Sequence, residues 1–382
     1  MKHLVVAAFI LLAHAPSLAQ ESAAPPPTAA AGVPQEAPPA VELPAWVTSI
    51  TVGGFVDVYG ALNLNFPEDH VSFNSCCGST AKRANEFALN LAGLDVTVPA
   101  APVGAKLQLV VGNATELIHS GEPVGTAVGP GAFNPIYQAY VSVAPPFIEG
   151  LTLDAGVFAS HLGFEAFLSN ANWNYTRGWL SETVPWYQAG VRAVYATPFL
   201  TGLTLQLHVL NGWQIIADNN DAKSFGASVG YSNDLISASL NGWAGSELAG
   251  DDDHWRFLGD SIVSIHPISW LQIAASADLG HQQLDPEGAT WWGVAVHARV
   301  SPLDWLAFAV RVETFDDPDN GISGAAQQLT SETVTVELKP VSALSVKVEG
   351  RFDQSSAEVF SAGAGDTAAT QTLFLVGAVA SF

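Results

Sequence analysis

The 382-residue chain is short of charge, of basic residues, of cysteine and of long apolar runs. Only 13% of it is charged although 48% is hydrophobic, against roughly 25% charged in an ordinary soluble domain. High apolarity with few charges is the composition of a membrane protein. Yet beyond the N-terminus no stretch approaches the roughly 20 apolar residues that a spanning helix needs, which excludes a helical membrane bundle. The 13 Lys and Arg face 36 Asp and Glu, for a net charge of −23. Nucleic acid is therefore not an expected partner, because that affinity comes from cations on phosphates. The two cysteines, Cys76 and Cys77, are adjacent. Vicinal pairing is strained, so they define no disulfide framework. With no third ligand beside them, they read as an inert or locally oxidised pair rather than a metal site.

What the chain does contain is alternation. Leu151, Leu153, Ala155 and Val157 fall on one face of an extended segment, Thr152 and Asp154 on the other. Val191, Ala193 and Tyr195 likewise oppose Gln188 and Arg192. A period of two marks strands with one apolar and one polar face. Between these two strands runs a long insert, His161 to Val184, rich in Asn, Trp and charge. It is too long for a hairpin turn and too polar and aromatic for a spacer. The expectation is a loop folded into the lumen of a membrane β-barrel, narrowing it.

The N-terminus reads as an export signal over residues 1–19: Lys2, an apolar core from Leu4 to Ala13, and Ser17-Leu18-Ala19 before Gln20. Residues 20–45 are rich in Ala and Pro and read as a disordered periplasmic leader. Residues 46–382 form the expected barrel, about sixteen segments running from Ile50–Leu64 to Thr370–Phe382. Their connections alternate long and short. Phe66–Arg83 is followed by Pro99–Pro102, Asn113–Pro135 by Ala144–Gly150, and Ala159–Pro185 by Pro198–Gly202. The same rhythm holds to the end of the chain. That is an all-β, up-and-down antiparallel transmembrane barrel of about 16 strands, with short periplasmic turns, long extracellular loops and the third long loop inside. A soluble β-sandwich gives no reason for strict alternation. Trp186, Trp255, Trp270, Trp291, Trp292 and Trp305 lie near proposed strand ends, where amphipathic rings suit a lipid–water interface.

Polar strand faces should point to water. This places Asp57, Lys106, Asp154, Arg192, Arg256, Asp260, Asp278, His297, Arg299, Arg311, Glu313, Lys347, Glu349, Arg351 and Asp353 toward the lumen. A lipid-facing Arg or Lys at mid-depth would cost about 2–4 kcal/mol. The insert adds Glu165, Asn172, Trp173, Asn174, Arg177 and Glu182 as the expected constriction. Two arrangements are open. In one, an acidic loop faces Arg299, Arg311 and Arg351 across water and sets ion selectivity. In the other, those arginines are neutralised by Glu313, Glu349 and Asp353 and only brace the wall. Asn172-Trp173-Asn174-Tyr175 can stack on sugars, or simply pack. Asp251–Asp253 with His254, and Asp316, Asp317 and Asp319, are oxygen-rich loops that could hold divalent cations, though their spacing completes no loop motif. No other cofactor is expected.

The central stretch resembles the putative β-barrel porin-2 (OmpL-like) family of bacterial outer-membrane proteins. The matching residues are Asp154-Ala-Gly-Val-Phe158, His161-Leu-Gly163, Asn172-Trp-Asn-Tyr-Thr-Arg177, Val184-Pro-Trp-Tyr187, Gly190-Val-Arg192 and Asn211-Gly-Trp213. Gly53-Gly-Phe-Val-Asp57, Arg311 with Glu313, and Glu349 with Arg351 and Asp353 match as well. Phe164 departs from the Ala that usually precedes the family's Glu. The resemblance implies an outer-membrane porin-like barrel and no particular solute.

The function expected is a water-filled, cation-preferring channel for ions and small hydrophilic solutes, since sixteen strands leave room for one and acidic walls attract cations. Expected partners are outer-membrane lipid and lipopolysaccharide, the barrel-assembly machinery through Phe382, and two further copies in a homotrimer. The alternatives are a plugged structural or adhesive barrel, or an outer-membrane hydrolase built on His161, Ser169 and Asp154.

Overall fold

The computed structural model describes residues 49–74, 76–122 and 130–382. The expected signal peptide and Ala/Pro-rich leader lie outside the described residues.

Sixteen antiparallel strands close into one barrel, each paired with its neighbours in sequence. They are β1 (Thr51–Asn63), β2 (Glu86–Val98), β3 (Val103–Val111), β4 (Ile136–Val143), β5 (Leu151–Ala159), β6 (Tyr187–Ala196), β7 (Leu203–Leu210) and β8 (Ser224–Ser232). There follow β9 (Ile236–Ser246), β10 (Trp255–Ile268), β11 (Leu271–Gln282), β12 (Ala289–Leu303), β13 (Leu306–Asp317), β14 (Gln327–Val341), β15 (Leu344–Ser355) and finally β18 (Thr370–Ser381). A separate hairpin, β16 (Phe360–Ala362) with β17 (Asp366–Ala368), fills the last long loop. Two short helices sit in loops: α1 (Asn113–Ile118) in the second and α2 (Trp179–Glu182) in the third.

Alternation decides which face each residue takes. On β1, Val52, Val56, Val58 and Leu62 are exposed outward, whereas Asp57, Tyr59 and Asn63 are buried inward. On β12 to β15, Val296, Val312, Val334 and Val348 face out, and His297, Arg311, Glu313, Lys347 and Glu349 face in. The register slips once between β1 and β2, beside Asp57. The extra residue, Asn90, turns its amide inward onto the Asp57 carboxylate at 2.8 Å, a re-aiming typical of a bulge.

Closure falls on β1 and β18, with Val56 opposite Ala380. Gly54 and Phe382 exchange both backbone hydrogen bonds, at 2.9 and 3.0 Å. A Cβ on Gly54 would come within 2.6 Å of the Phe382 ring, so the last residue lies against a position that only glycine can fill without a shift.

The tryptophans divide. Trp270 and Trp305 are about half exposed at short turns and Trp292 is exposed on the outer face, as an interfacial role requires. Trp186 and Trp291 instead turn inward and are buried. They lie near strand ends, but the alternation of their strands puts them on the lumenal face, where loop residues cover them. Cys76 and Cys77 are joined by a disulfide, and Cys77 packs with Phe73, Trp179 and Phe360.

Candidate functional site

The connection from β5 to β6, residues 160–186, enters the barrel and crosses it. Its shape is set first by internal bonds. Asn172 accepts from the Ala166 N–H at 2.7 Å and donates to the Ala166 carbonyl at 2.8 Å, closing a tight loop. Glu165 Oε2 accepts the Gly178 N–H at 2.7 Å and ties the two arms together. Arg177 Nη1 donates to the Ala166 and Phe167 carbonyls, and its guanidinium lies 4.3 Å over the Trp186 ring.

The crossing arm is then bonded to the far wall, β13 to β15. Arg311 Nη1 donates to Glu165 Oε1 and to the Thr176 carbonyl, both at 2.7 Å. Glu349 accepts the Tyr175 and Thr176 N–H groups at 2.6 and 3.0 Å. Arg351 donates to the Arg177 carbonyl at 2.6 Å, and Trp179 Nε1 to Asp353 at 2.9 Å. Lys347 is buried under the insert, its ammonium donating to the carbonyls of Ser169, Asn172 and Asn174. Asn174 reaches Thr335 at 2.8 Å. On β1, Asp57 accepts the Tyr175 hydroxyl at 2.6 Å and the Ser169 hydroxyl at 2.9 Å. The barrel leaves space for this seating: a Cβ on Gly377 would fall 2.2 Å from the Tyr175 ring.

The near arm touches the opposite wall. His161 stacks on His208 with ring centres 4.1 Å apart and faces the Gly242 carbonyl at 3.2 Å. The first long loop folds over the insert from the long-loop side. Ser79 accepts from Arg177 Nε at 2.8 Å, and its N–H and hydroxyl donate to Glu182 at 3.0 and 2.6 Å. Lys82 donates to the Asn74 and Cys77 carbonyls, and burial pulls its ammonium down to about 8. This bracing loop has no pattern of its own in the sequence; only its Ser79, Lys82 and small residues hint at burial.

Every anticipated wall residue points inward, but four of the wall arginines are in contact with a carboxylate rather than apart from it. Arg311 pairs with Glu165 and, at 3.3 Å, with Glu313. Arg351 pairs with Asp353 at 2.9 Å, Arg299 with Glu337 at 2.7 Å, and Arg192 with Asp154 at 2.8 Å. No water gap separates Glu165 from Arg311, so this is the geometry of a braced wall. Burial alone would raise the Glu165 carboxyl, but the adjacent Arg311 guanidinium and the Gly178 N–H outweigh it and hold it down at about 2.

Three further expectations meet their geometry here. His161, Ser169 and Asp154 do not share a site. Ser169 is bonded to Asp57, Asp154 to Ser142 and Arg192, and His161 to Gln188 and Gly242. Ser169 is held at another wall because the insert carries it across the lumen to Asp57 on β1. The acidic loops spend their oxygens on backbone donors. Asp317 accepts the Gly321, Ile322 and Ser323 N–H groups, and Asp251 those of Asp253 and His254. Among the described residues no cluster of three or more His, Cys, Asp or Glu is placed to hold a metal ion.

Comparison with known proteins bears on the family and the barrel fold. The family model described as "Putative beta-barrel porin-2, OmpL-like" matches residues 49–382. No curated protein sequence matches the chain. Among solved structures, the chain is similar to OmpF of Salmonella typhi in complex with daunomycin (TM-score 0.58, 12% identity, 87% of this chain and 97% of that one). It is also similar to an anion-selective porin from Comamonas acidovorans (0.57, 13%, 87% and 99%). A third is outer-membrane expressed OmpT of Vibrio cholerae (0.55, 10%, 87% and 97%). At these identities the likenesses establish a shared fold.

Proposed function

The chain belongs to the putative beta-barrel porin-2, OmpL-like family, and we propose that this outer-membrane channel passes small hydrophilic solutes and ions by passive diffusion, with a preference for cations and without chemistry of its own. The observation that carries the cation preference is the separation of paired from unpaired charge. Four wall arginines, Arg192, Arg299, Arg311 and Arg351, each touch a carboxylate, and these pairs leave little net field. The long loops instead expose Glu68, Asp252, Asp253, Glu287 and Asp366, while Asp285 lies 3.2 Å from the His254 ring. A mouth of one sign concentrates counter-ions before they reach the constriction.

The test is single-channel conductance and reversal potential of the refolded chain in a planar bilayer under a KCl gradient. Ohmic steps with cation selectivity are expected. Replacing Asp252, Asp253, Asp285 and Glu287 by Asn or Gln should move the reversal potential toward zero. An unchanged or anion-selective potential would sink the mouth-charge reading.

One observation favours the alternative of a plugged barrel: the insert is hydrogen-bonded to walls on both sides of the lumen. A folded, heat-modifiable barrel that never conducts would establish that alternative.

We further propose self-association, as a homotrimer, through the outer face of β13 to β15. Glu332 is exposed on that face, opposite Val312 and Phe352. It lies two outward positions inside the Trp292–Asp316–Gln328 level. A carboxylate facing lipid at that depth is unfavourable, and a neighbouring protein surface relieves it. A monomeric mass for the detergent-solubilised wild type would overturn this.

A further inference from the structure

Below the insert, on the short-turn side, a cavity of about 400 Å³ opens between its lower surface and the walls of β8 to β11. That volume is at the small end of the roughly 300–1,000 Å³ of ligand clefts. One side is aromatic. Phe164 and Trp173 meet edge to face, with ring centres 5.4 Å apart and planes at 82°. His297 closes the corner, 4.6 Å from Phe164. Both Phe164 and Trp173 remain half-buried rather than covered, whereas Phe167, Tyr175, Trp179 and Trp186 of the insert are packed away.

The other side is a chain of hydrogen-bonding groups. Ser264 Oγ lies 3.2 Å from His266 Nε2, and Gln272 Nε2 lies 3.3 Å from His266 Nδ1. Gln272 Oε1 in turn accepts from Arg299 at 3.4 Å. The charges nearby are already committed, Glu165 to Arg311 and Arg299 to Glu337. The cavity therefore offers no free charge to an ionic solute. It offers an aromatic corner and, facing it, neutral donors and acceptors.

We propose that this cavity is a binding subsite for a neutral polyhydroxylated solute of the size of one or two sugar rings, with Phe164 and Trp173 as the stacking platform. A pyranose ring has one face of C–H groups, which suits an aromatic plane, and a rim of hydroxyls that both donate and accept. Ser264, His266 and Gln272 can do the same in return. A flat heteroaromatic solute would stack as well but has fewer hydroxyls to exchange with Ser264, His266 and Gln272. Phe164, which departs from the small residue expected before Glu165, supplies half of the platform.

The subsite rests on the channel reading, and two measurements separate them. In planar bilayers, glucose or maltose added on one side should block the ion current reversibly and with saturation. Trp173→Ala and Phe164→Ala should each raise the half-blocking concentration at least tenfold, measured against that variant's own open current. The control is Phe147→Ala, at an exposed turn between β4 and β5 that does not line the cavity. Calorimetric titration of the folded, detergent-solubilised chain with the same sugars needs no conduction. Saturable binding that is weakened tenfold or more in both variants and kept in the control supports the subsite, even if the protein never conducts. Conductance without any sugar effect, or sugar binding equal in Trp173→Ala and wild type, overturns the subsite and leaves the channel standing. Tighter binding of a planar aromatic such as adenine than of maltose overturns the solute class.

Discussion

Arg311 and Glu165 lie 2.7 Å apart, one on the barrel wall and one on the insert, with side chains 0% and 3% exposed. Neither can reach water for compensation. Removing one partner of a buried pair costs about 3–5 kcal/mol, because it strands the other charge. Arg311→Ala should therefore destabilise the barrel by that order in denaturant unfolding from lipid vesicles. It should also raise single-channel conductance as the insert loosens. The double variant Arg311→Met with Glu165→Leu should cost distinctly less than the sum of the two single changes, because each single change strands the other charge. Additive losses would show that the two residues act separately.

The pH dependence of the latch follows from the Glu165 carboxyl, held at about 2 against an ordinary 4.5. A depressed carboxyl binds fewer protons folded than unfolded. Its stabilisation, ~3 kcal/mol, is fully present above about pH 4.5 and lost as the pH falls toward 2. Insert protection, followed by proteolysis or hydrogen exchange, should weaken through that window. Glu165→Gln should flatten the dependence. A wild type and Glu165→Gln with the same profile would assign the effect to other carboxylates.

Trp179 joins three parts of the molecule. It is fully buried among Phe73, Cys77 and Phe360 and donates to Asp353. Trp179→Ala should cost about 3–5 kcal/mol and free the first long loop along with the insert. The expected signs are a lower unfolding midpoint and new protease cleavage between residues 66 and 83. Intact resistance in that loop would mean that its hold comes from Ser79 and Glu182 alone.

The outer face offers a contrasting case. Val296 is 54% exposed on the lipid side of β12, one residue from the inward His297. Val296→Arg should cost about 2–4 kcal/mol in vesicle unfolding if it lies near mid-depth. A cost near zero would place that rung at the interface or against a neighbouring subunit.

Sixteen strands, their order and the long third loop were legible because each depends on local chemistry. Alternation at β1 or β12 is a property of consecutive residues, and Pro or Gly marks the short turns. The bulge at Asn90 and the hairpin β16–β17 carry no such signal: each is one or a few residues whose conformation is chosen by the neighbouring strand or loop. Trp186 and Trp291 show the same limit, since nearness to a strand end does not say which face a ring takes.

The site was legible in its membership and not in its wiring. That Asp57, Arg311, Lys347 and Glu349 turn inward follows from a period of two, and that the insert enters follows from its length and polarity. Which carboxylate meets which cation depends on pairs far apart in sequence, such as Glu165 with Arg311 and Asp57 with Tyr175. Their encounter exists only once the barrel has closed, because closure brings β1 beside β18 and sets the lumen's width against the reach of the loop. The sequence alone therefore determined a closed, acidic, outer-membrane barrel with an internal loop. The tertiary structure decided that this loop is bound to the wall by buried pairs rather than held away from it, because a charge shut off from water must find its partner in the protein.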